Sequence, residues 1–242
     1  MRVPRVVDRL VDAALKRAGL RLQRRRAYRD PVDHLVAKSA QLGVATLLDV
    51  GANEGQFGRE MRRAGFGGRI VSFEPLAVCH AKLVQTAAPD PDWHVAPRAA
   101  LGADDGVATI NVSANLVSSS LLPILDRSVE THQPSRYAGT EEVPLRRIDS
   151  LRDADWKPPF GLKIDTQGFE LEVLKGAAQT LQETPVVLLE MSLHPLYQGA
   201  AGFAELYAWM EQAGYRCVGI TEGFVNVVTD ELLQADALFV RA

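Results

Sequence analysis

The chain has 242 residues, with 27 Lys and Arg against 30 Asp and Glu, 47% apolar and 24% charged. These values exclude a disordered chain and allow one large domain or two small ones. Two cysteines, Cys79 and Cys217, cannot build a disulfide framework and have no partner at zinc-ligand spacing, and no run nears the ~18 apolar residues of a membrane span.

Charge is unevenly placed. Residues 1–29 hold ten of the Lys and Arg but only two of the acids, so this leader carries +8 and the rest of the chain −11. An acidic body argues against a broad phosphate-binding face, and no nucleic-acid partner is expected. In the leader, Val3, Val6, Val7, Leu10, Val11, Ala14 and Ala18 recur at the three- and four-residue steps of an amphipathic helix. Such a helix can cap its own domain, dock on a second subunit, or lie on an anionic membrane. The first two uses are favoured, a homodimer being the expected assembly; peripheral membrane contact through residues 1–29 is the alternative. The leader lacks the uninterrupted apolar stretch of a signal peptide, so a cytoplasmic location is expected. Residues 1–42 read as an N-terminal helical extension and 43–242 as one catalytic domain.

From Val44 the pattern is buried strand, then helix, repeated. Strands are expected at 44–50, 69–73, 160–164, 186–189, 215–220 and 237–240, and helices at 54–64, 76–87, 169–181 and 203–213. Apolar strands alternating with helices indicate an α/β protein whose mostly parallel sheet carries helices on both faces. Two further strands, 93–100 and 107–112, are joined across the turn-forming Gly102–Gly106. Residues 113–142, Ser- and Pro-bearing with weak periodicity, read as a long lid or binding loop, or a mobile one.

The sharpest local signal is Leu47-Leu48-Asp49-Val50-Gly51-Ala52-Asn53-Glu54-Gly55, a strand running through a glycine turn into a helix. Glycines admit a ligand close to the backbone, beside free helix-start N–H groups. Twenty-three residues after Gly51, the second expected strand ends in Glu74-Pro75, where an acid can accept from both hydroxyls of a ribose. The pair describes a nucleoside cofactor across two strand ends. The turn is not the Gly-x-Gly-x-x-Gly of nicotinamide enzymes, and no Tyr has Lys four residues later. Asp49 suits the ammonium of S-adenosylmethionine, which is therefore favoured. Asp165, Glu190 and His194 follow two later strands and are expected at the same sheet edge, near a methyl acceptor. For His194 an ordinary loop histidine is as good a reading.

These motifs together, LLDVGANEGQF, FEP, KIDTQGFELEVLKGA and LLEMSLHPLY, resemble the FkbM family of S-adenosylmethionine-dependent methyltransferases over roughly residues 46–197. The resemblance implies a Rossmann-like class I methyltransferase fold with a seven-stranded sheet, and methylation of a hydroxyl on a sugar, oligosaccharide, glycolipid or glycosylated natural product. It places Asp49, Gly51, Asn53 and Gly55 at the methionine end of the cofactor, Glu74 and Pro75 at its ribose, and Arg98, Ala99 and Ala100 along its adenine. Many relatives have Glu where this chain has Gln167, so no base is expected there.

A sugar hydroxyl must lose its proton or bind a cation to attack the methyl group. Two routes are open. His194 or Asp165 acts as general base, or Mg2+ or Mn2+ held by Asp165, Glu190 and His194 lowers the hydroxyl's pKa. The metal route is slightly preferred. An RNA or protein methyltransferase is the catalytic alternative, disfavoured by the acidic body and the lack of an Asn/Asp-Pro-Pro-Tyr motif. A non-catalytic cofactor-binding module docked through the leader is the other.

Overall fold

The computed structural model describes residues 30–242, apart from the side chain of Arg127; the leader helix expected within residues 1–29 lies outside the described residues. In chain order the elements are α1 (Pro31–Leu42), β1 (Thr46–Val50), α2 (Gln56–Arg63), β2 (Arg69–Phe73), α3 (Ala77–Ala87), β3 (Trp93–Val95), β4 (Ala100–Leu101), β5 (Gly106–Ser113), α4 (Asp126–Thr131), β6 (Tyr137–Arg146), α5 (Ile148–Leu151), β7 (Phe160–Ile164), α6 (Glu170–Gly176), β8 (Val186–Ser192), α7 (Phe203–Gln212), β9 (Tyr215–Glu222), β10 (Val225–Asn226), β11 (Glu231–Leu232) and β12 (Gln234–Arg241).

Seven strands form one sheet in the order β3-β2-β1-β7-β8-β12-β9. The first five are parallel, and β12 runs antiparallel to both its neighbours. The connections run outward in opposite directions from β1 and β7, and such a switch opens a crevice at the carboxyl ends of those strands. Register decides what enters it. Val50 pairs with both Phe73 and Ile164, so Gly51, Glu74 and Asp165 leave their strands at one level.

The strands lack polar alternation because both sheet faces are covered. Leu48, Val50, Phe73, Leu162, Ile164 and Phe239 face one apolar cluster with Leu174 of α6 and Leu206 of α7. Leu47, Ile70, Leu188 and Leu238 face the other, with Leu35 of α1, Met61 of α2 and Leu83 of α3. Helix α1 starts where the Asp30 carboxylate accepts the backbone N–H groups of Val32 and Asp33, both at 3.0 Å, and stops at Gly43 in the left-handed region, φ 67°.

Three expectations change. The strand expected over 93–100 divides at Pro97: β3 joins the main sheet, while β4 joins a separate three-stranded sheet in the order β4-β6-β5. The loop expected over 113–142 ends early, since β6 begins at Tyr137 and pairs antiparallel with β5. Most of β6 before Val143 is exposed on both faces, which erases the alternation that marks a strand. The helix expected to Leu181 stops at Gly176, where an added Cβ would sit 1.9 Å from the Gly102 carbonyl oxygen. Among the described residues no helix is long and apolar enough to cross a membrane.

Leu35 is fully buried between α1 and the sheet. Leu35→Ala is expected to cost about 2–5 kcal/mol in urea unfolding, in a single transition; a loss below about 1 kcal/mol would show that α1 is peripheral to the core.

Candidate active site

The crevice at the strand ends is a cavity, partly open to solvent, whose wall includes Gly51, Asn53, Glu74, Pro75, Asp165 and Gln167. Ala99 and Ala100 line it too, with the apolar side chains of Leu101, Ile110 and Phe169.

Gly51 has φ 75°, and a Cβ there would lie 1.8 Å from the Asp165 carbonyl oxygen. Only glycine lets β1 and β7 close up at this level. Asn53, also left-handed at φ 48°, donates its N–H to Glu74 Oε2 at 2.8 Å, and Leu76 donates to Oε1 at 2.8 Å. The carboxylate is thus fixed, buried on its protein side, and faces the cavity. Of its roughly four lone-pair positions, two are used and two remain for donors from a ligand. Burial pushes its carboxyl up to about 7, against the pull of the two N–H donors.

Asp49 is not on the cavity wall. It points beneath the floor, where Oδ2 accepts from Ser72 Oγ at 3.0 Å and Trp93 Nε1 donates to the same hydroxyl at 3.0 Å. The expected contact to a ligand ammonium is replaced by an internal one: Lys163 Nζ lies 3.5 Å from Asp49 Oδ1 and 3.5 Å from Asp165 Oδ2. Nζ also donates to the carbonyls of Gly51 at 2.9 Å and Val50 at 3.3 Å. Burial would pull this ammonium down, but Asp165, Asp49 and Glu190 outweigh it and hold it above the ordinary lysine range. Burial raises the Asp49 carboxyl against the Lys163 charge. Gly55 is likewise a packing residue, off the cavity wall; a Cβ there would meet Leu83 and Thr86 at 3.0 Å.

Asp165 and Glu190 do come together, and an amide lies between them. Gln167 Nε2 donates to Asp165 Oδ1 at 2.9 Å and to Glu190 Oε2 at 2.8 Å, and Gln234 Nε2 donates to Glu190 Oε2 at 2.7 Å. Tyr197 donates its hydroxyl to Gln167 Oε1 at 2.7 Å. Burial, with Asp165, Glu170 and Asp236 nearby, holds the Glu190 carboxyl well above its ordinary range. His194 is not part of this group. Its backbone N–H lies against the Leu233 carbonyl, and its side chain is absent from the cavity wall. Among the described residues no three His, Cys, Asp or Glu side chains are grouped to hold a metal ion. The donor set between Asp165 and Glu190 is amide and ammonium, which does not fit the expected Mg2+ or Mn2+, and no step is derived through one.

Arg98 is a strut outside the wall, donating to the Pro75 carbonyl at 3.0 Å with Glu141 3.5 Å away. Leu116–Leu121 roof the cavity, tied down where Ser120 Oγ donates to the Gln167 carbonyl at 2.7 Å. His132 packs edge-on against Phe224, away from the cavity wall. Lys163, Tyr197 and Gln234 are the residues sequence reasoning missed. Only Lys163 left a trace, as a charge inside the apolar strand Phe160–Ile164, where it must be paired.

The described fold is similar to the crystal structure of a putative O-methyltransferase from Klebsiella pneumoniae, at 14% identity and TM-score 0.50 over 100% of this chain and 92% of that one. At that identity the likeness concerns the fold alone, a Rossmann-like class I methyltransferase. Among curated proteins, Methyltransferase sdnD of Sordaria araneosa is 31% identical over 153 residues, which span 54% of this chain and 59% of that protein. The model of the methyltransferase FkbM domain matches residues 49–217, from within β1 to the start of β9, and the chain belongs to that family.

Proposed function

We propose that this chain is an S-adenosylmethionine-dependent O-methyltransferase that moves a methyl group to a hydroxyl of a sugar, oligosaccharide, glycolipid or glycosylated natural product. The observation that carries the donor half is Glu74. Its carboxylate is held by two backbone N–H groups, with acceptor positions to spare for the two hydroxyls of a ribose. The apolar end at Ala99, Ala100 and Leu101 suits an adenine. The carbohydrate class of the acceptor rests on family membership alone.

S-adenosylmethionine supplies a methyl group on a sulfonium, whose sulfide leaving group needs no proton. The protein's tasks are alignment and removal of the hydroxyl proton. Asp165 is the proposed proton acceptor, because it is on the cavity wall at the end of β7 while His194 is not. Gln167 engages Asp165 Oδ1, so Oδ2 is the oxygen left to meet an acceptor hydroxyl. Lys163 lies 3.5 Å from Oδ2 and orients that oxygen. The leader, and with it dimerisation or membrane contact, enters as a proposal for placing a large acceptor.

Two measurements test this reading. Glu74 accepts ligand hydroxyls best when ionised, and with its carboxyl at about 7 the ionised fraction rises through neutrality. Calorimetric affinity for S-adenosylmethionine is therefore expected to strengthen about tenfold from pH 6 to pH 8; Glu74→Gln is expected to bind weakly with a flat profile, and a flat profile in the unchanged protein would count against the role. With an acceptor found by screening sugars and glycolipids with labelled donor, Asp165→Asn is expected to lower kcat by about 10²–10⁴ with donor affinity nearly unchanged. An unaltered kcat would remove Asp165 as the base.

A further inference from the structure

Gln167 stands three residues beyond β7 with φ 56°, and Gly168 follows at φ 99°. A side chain at positive φ costs about 1–2 kcal/mol. Here the two successive left-handed residues fold the amide back over the sheet end, between Asp165 and Glu190. Both N–H groups of that amide are then used, one on each carboxylate, and its oxygen accepts from the Tyr197 hydroxyl. The contacts also settle which end is nitrogen, since two carboxylates demand donors and the phenol supplies one.

Two carboxylates on adjacent parallel strands repel unless something of opposite polarity lies between them. A divalent cation is one solution, and oxygen-only ligation would suit it. This chain has another. Gln167 is wedged between them, Gln234 Nε2 donates to the same Glu190 oxygen that Gln167 engages, and the Lys163 ammonium sits 3.5 Å from Asp165. We infer that the Gln167 amide takes the place of a divalent cation between Asp165 and Glu190, and that Gln167 is the positioning residue which orients the Asp165 carboxylate without metal. The positioning role rests on the reading of Asp165 as proton acceptor. The cation statement does not.

A consequence follows at the level of atoms. Gln167→Glu would put a third carboxylate oxygen where Nε2 now lies, 2.9 Å from one acid and 2.8 Å from the other. Three converging carboxylates, with the amide between them gone, offer the oxygen ligands that magnesium and manganese prefer. The change is one atom in size and reverses the polarity of the wedge.

The experiment is a titration of Mn2+ into the full chain followed by electron paramagnetic resonance, which reads free ion and is blind to methyl transfer. The unchanged protein is expected to leave Mn2+ free. Gln167→Glu is expected to bind one Mn2+ per chain at least about tenfold more tightly, and adding Asp165→Asn is expected to abolish that binding. Circular dichroism reports whether each variant folds. If Gln167→Glu does not fold even with Mn2+, Gln167→Ala carries the test: it removes the amide without adding charge and is expected to bind Mn2+ more tightly than the unchanged protein. Stoichiometric Mn2+ on the unchanged protein that Asp165→Asn removes would overturn the inference, as would a folded Gln167→Glu that binds no better. Failure of S-adenosylmethionine to bind would instead contradict the proposed function and leave the cation result standing.

Discussion

One buried ammonium holds the floor of the site together. Lys163 reaches from β7 under the glycine turn to the carbonyls of Val50 and Gly51 and lies between the carboxylates of Asp49 and Asp165. Its side chain is 8% exposed, and Asp49 is fully buried. An isolated charge in such a place would cost several kcal/mol; a single cation shared by two acids and two carbonyl dipoles offsets that cost. It also ties β1 to β7 where the strand order reverses, so the wall residues Gly51 and Asp165 take their spacing from it. The ring of Phe57, 5.3 Å from Nζ, closes this arrangement from the α2 side.

Two chemically distinct ends follow from that floor. On the β2 side, Glu74 is braced by backbone N–H groups and shares the cavity wall with apolar residues. On the β7 side, Asp165 is braced by side-chain groups, Gln167 and Lys163, which fix its orientation. Backbone donors cannot be tuned by substitution, whereas side-chain donors can. The Glu74 end of the cavity is therefore braced by the fold itself, and the Asp165 end by side chains.

Much of the fold was legible because its strands are short, apolar and set between helices. β2 and β7 fall where expected, and the glycine turn and Glu74 lie on one cavity wall as their spacing implied. Roles were harder to read than positions. Asp49 looked like a ligand contact because a carboxylate beside the glycine turn suits a ligand ammonium; strand parity instead turns it under the floor, toward Ser72. Gly55 looked like part of the ligand turn and is a packing residue against α3. The bridge through Gln167 was invisible, since it depends on Gln234 and Tyr197, 67 and 30 residues away. Local pattern carries no information about such pairings; register between β8 and β12 decides them.

The account is tested most directly by a double-mutant cycle on Lys163 and Asp49, followed by urea unfolding. Lys163→Met strands a buried carboxylate, with an expected loss of about 3–5 kcal/mol. Adding Asp49→Asn removes the stranded charge, so the double variant is expected to be more stable than the sum of the two single losses implies, by about 1 kcal/mol or more. Strict additivity would contradict the shared ammonium as the constraint that orders the site.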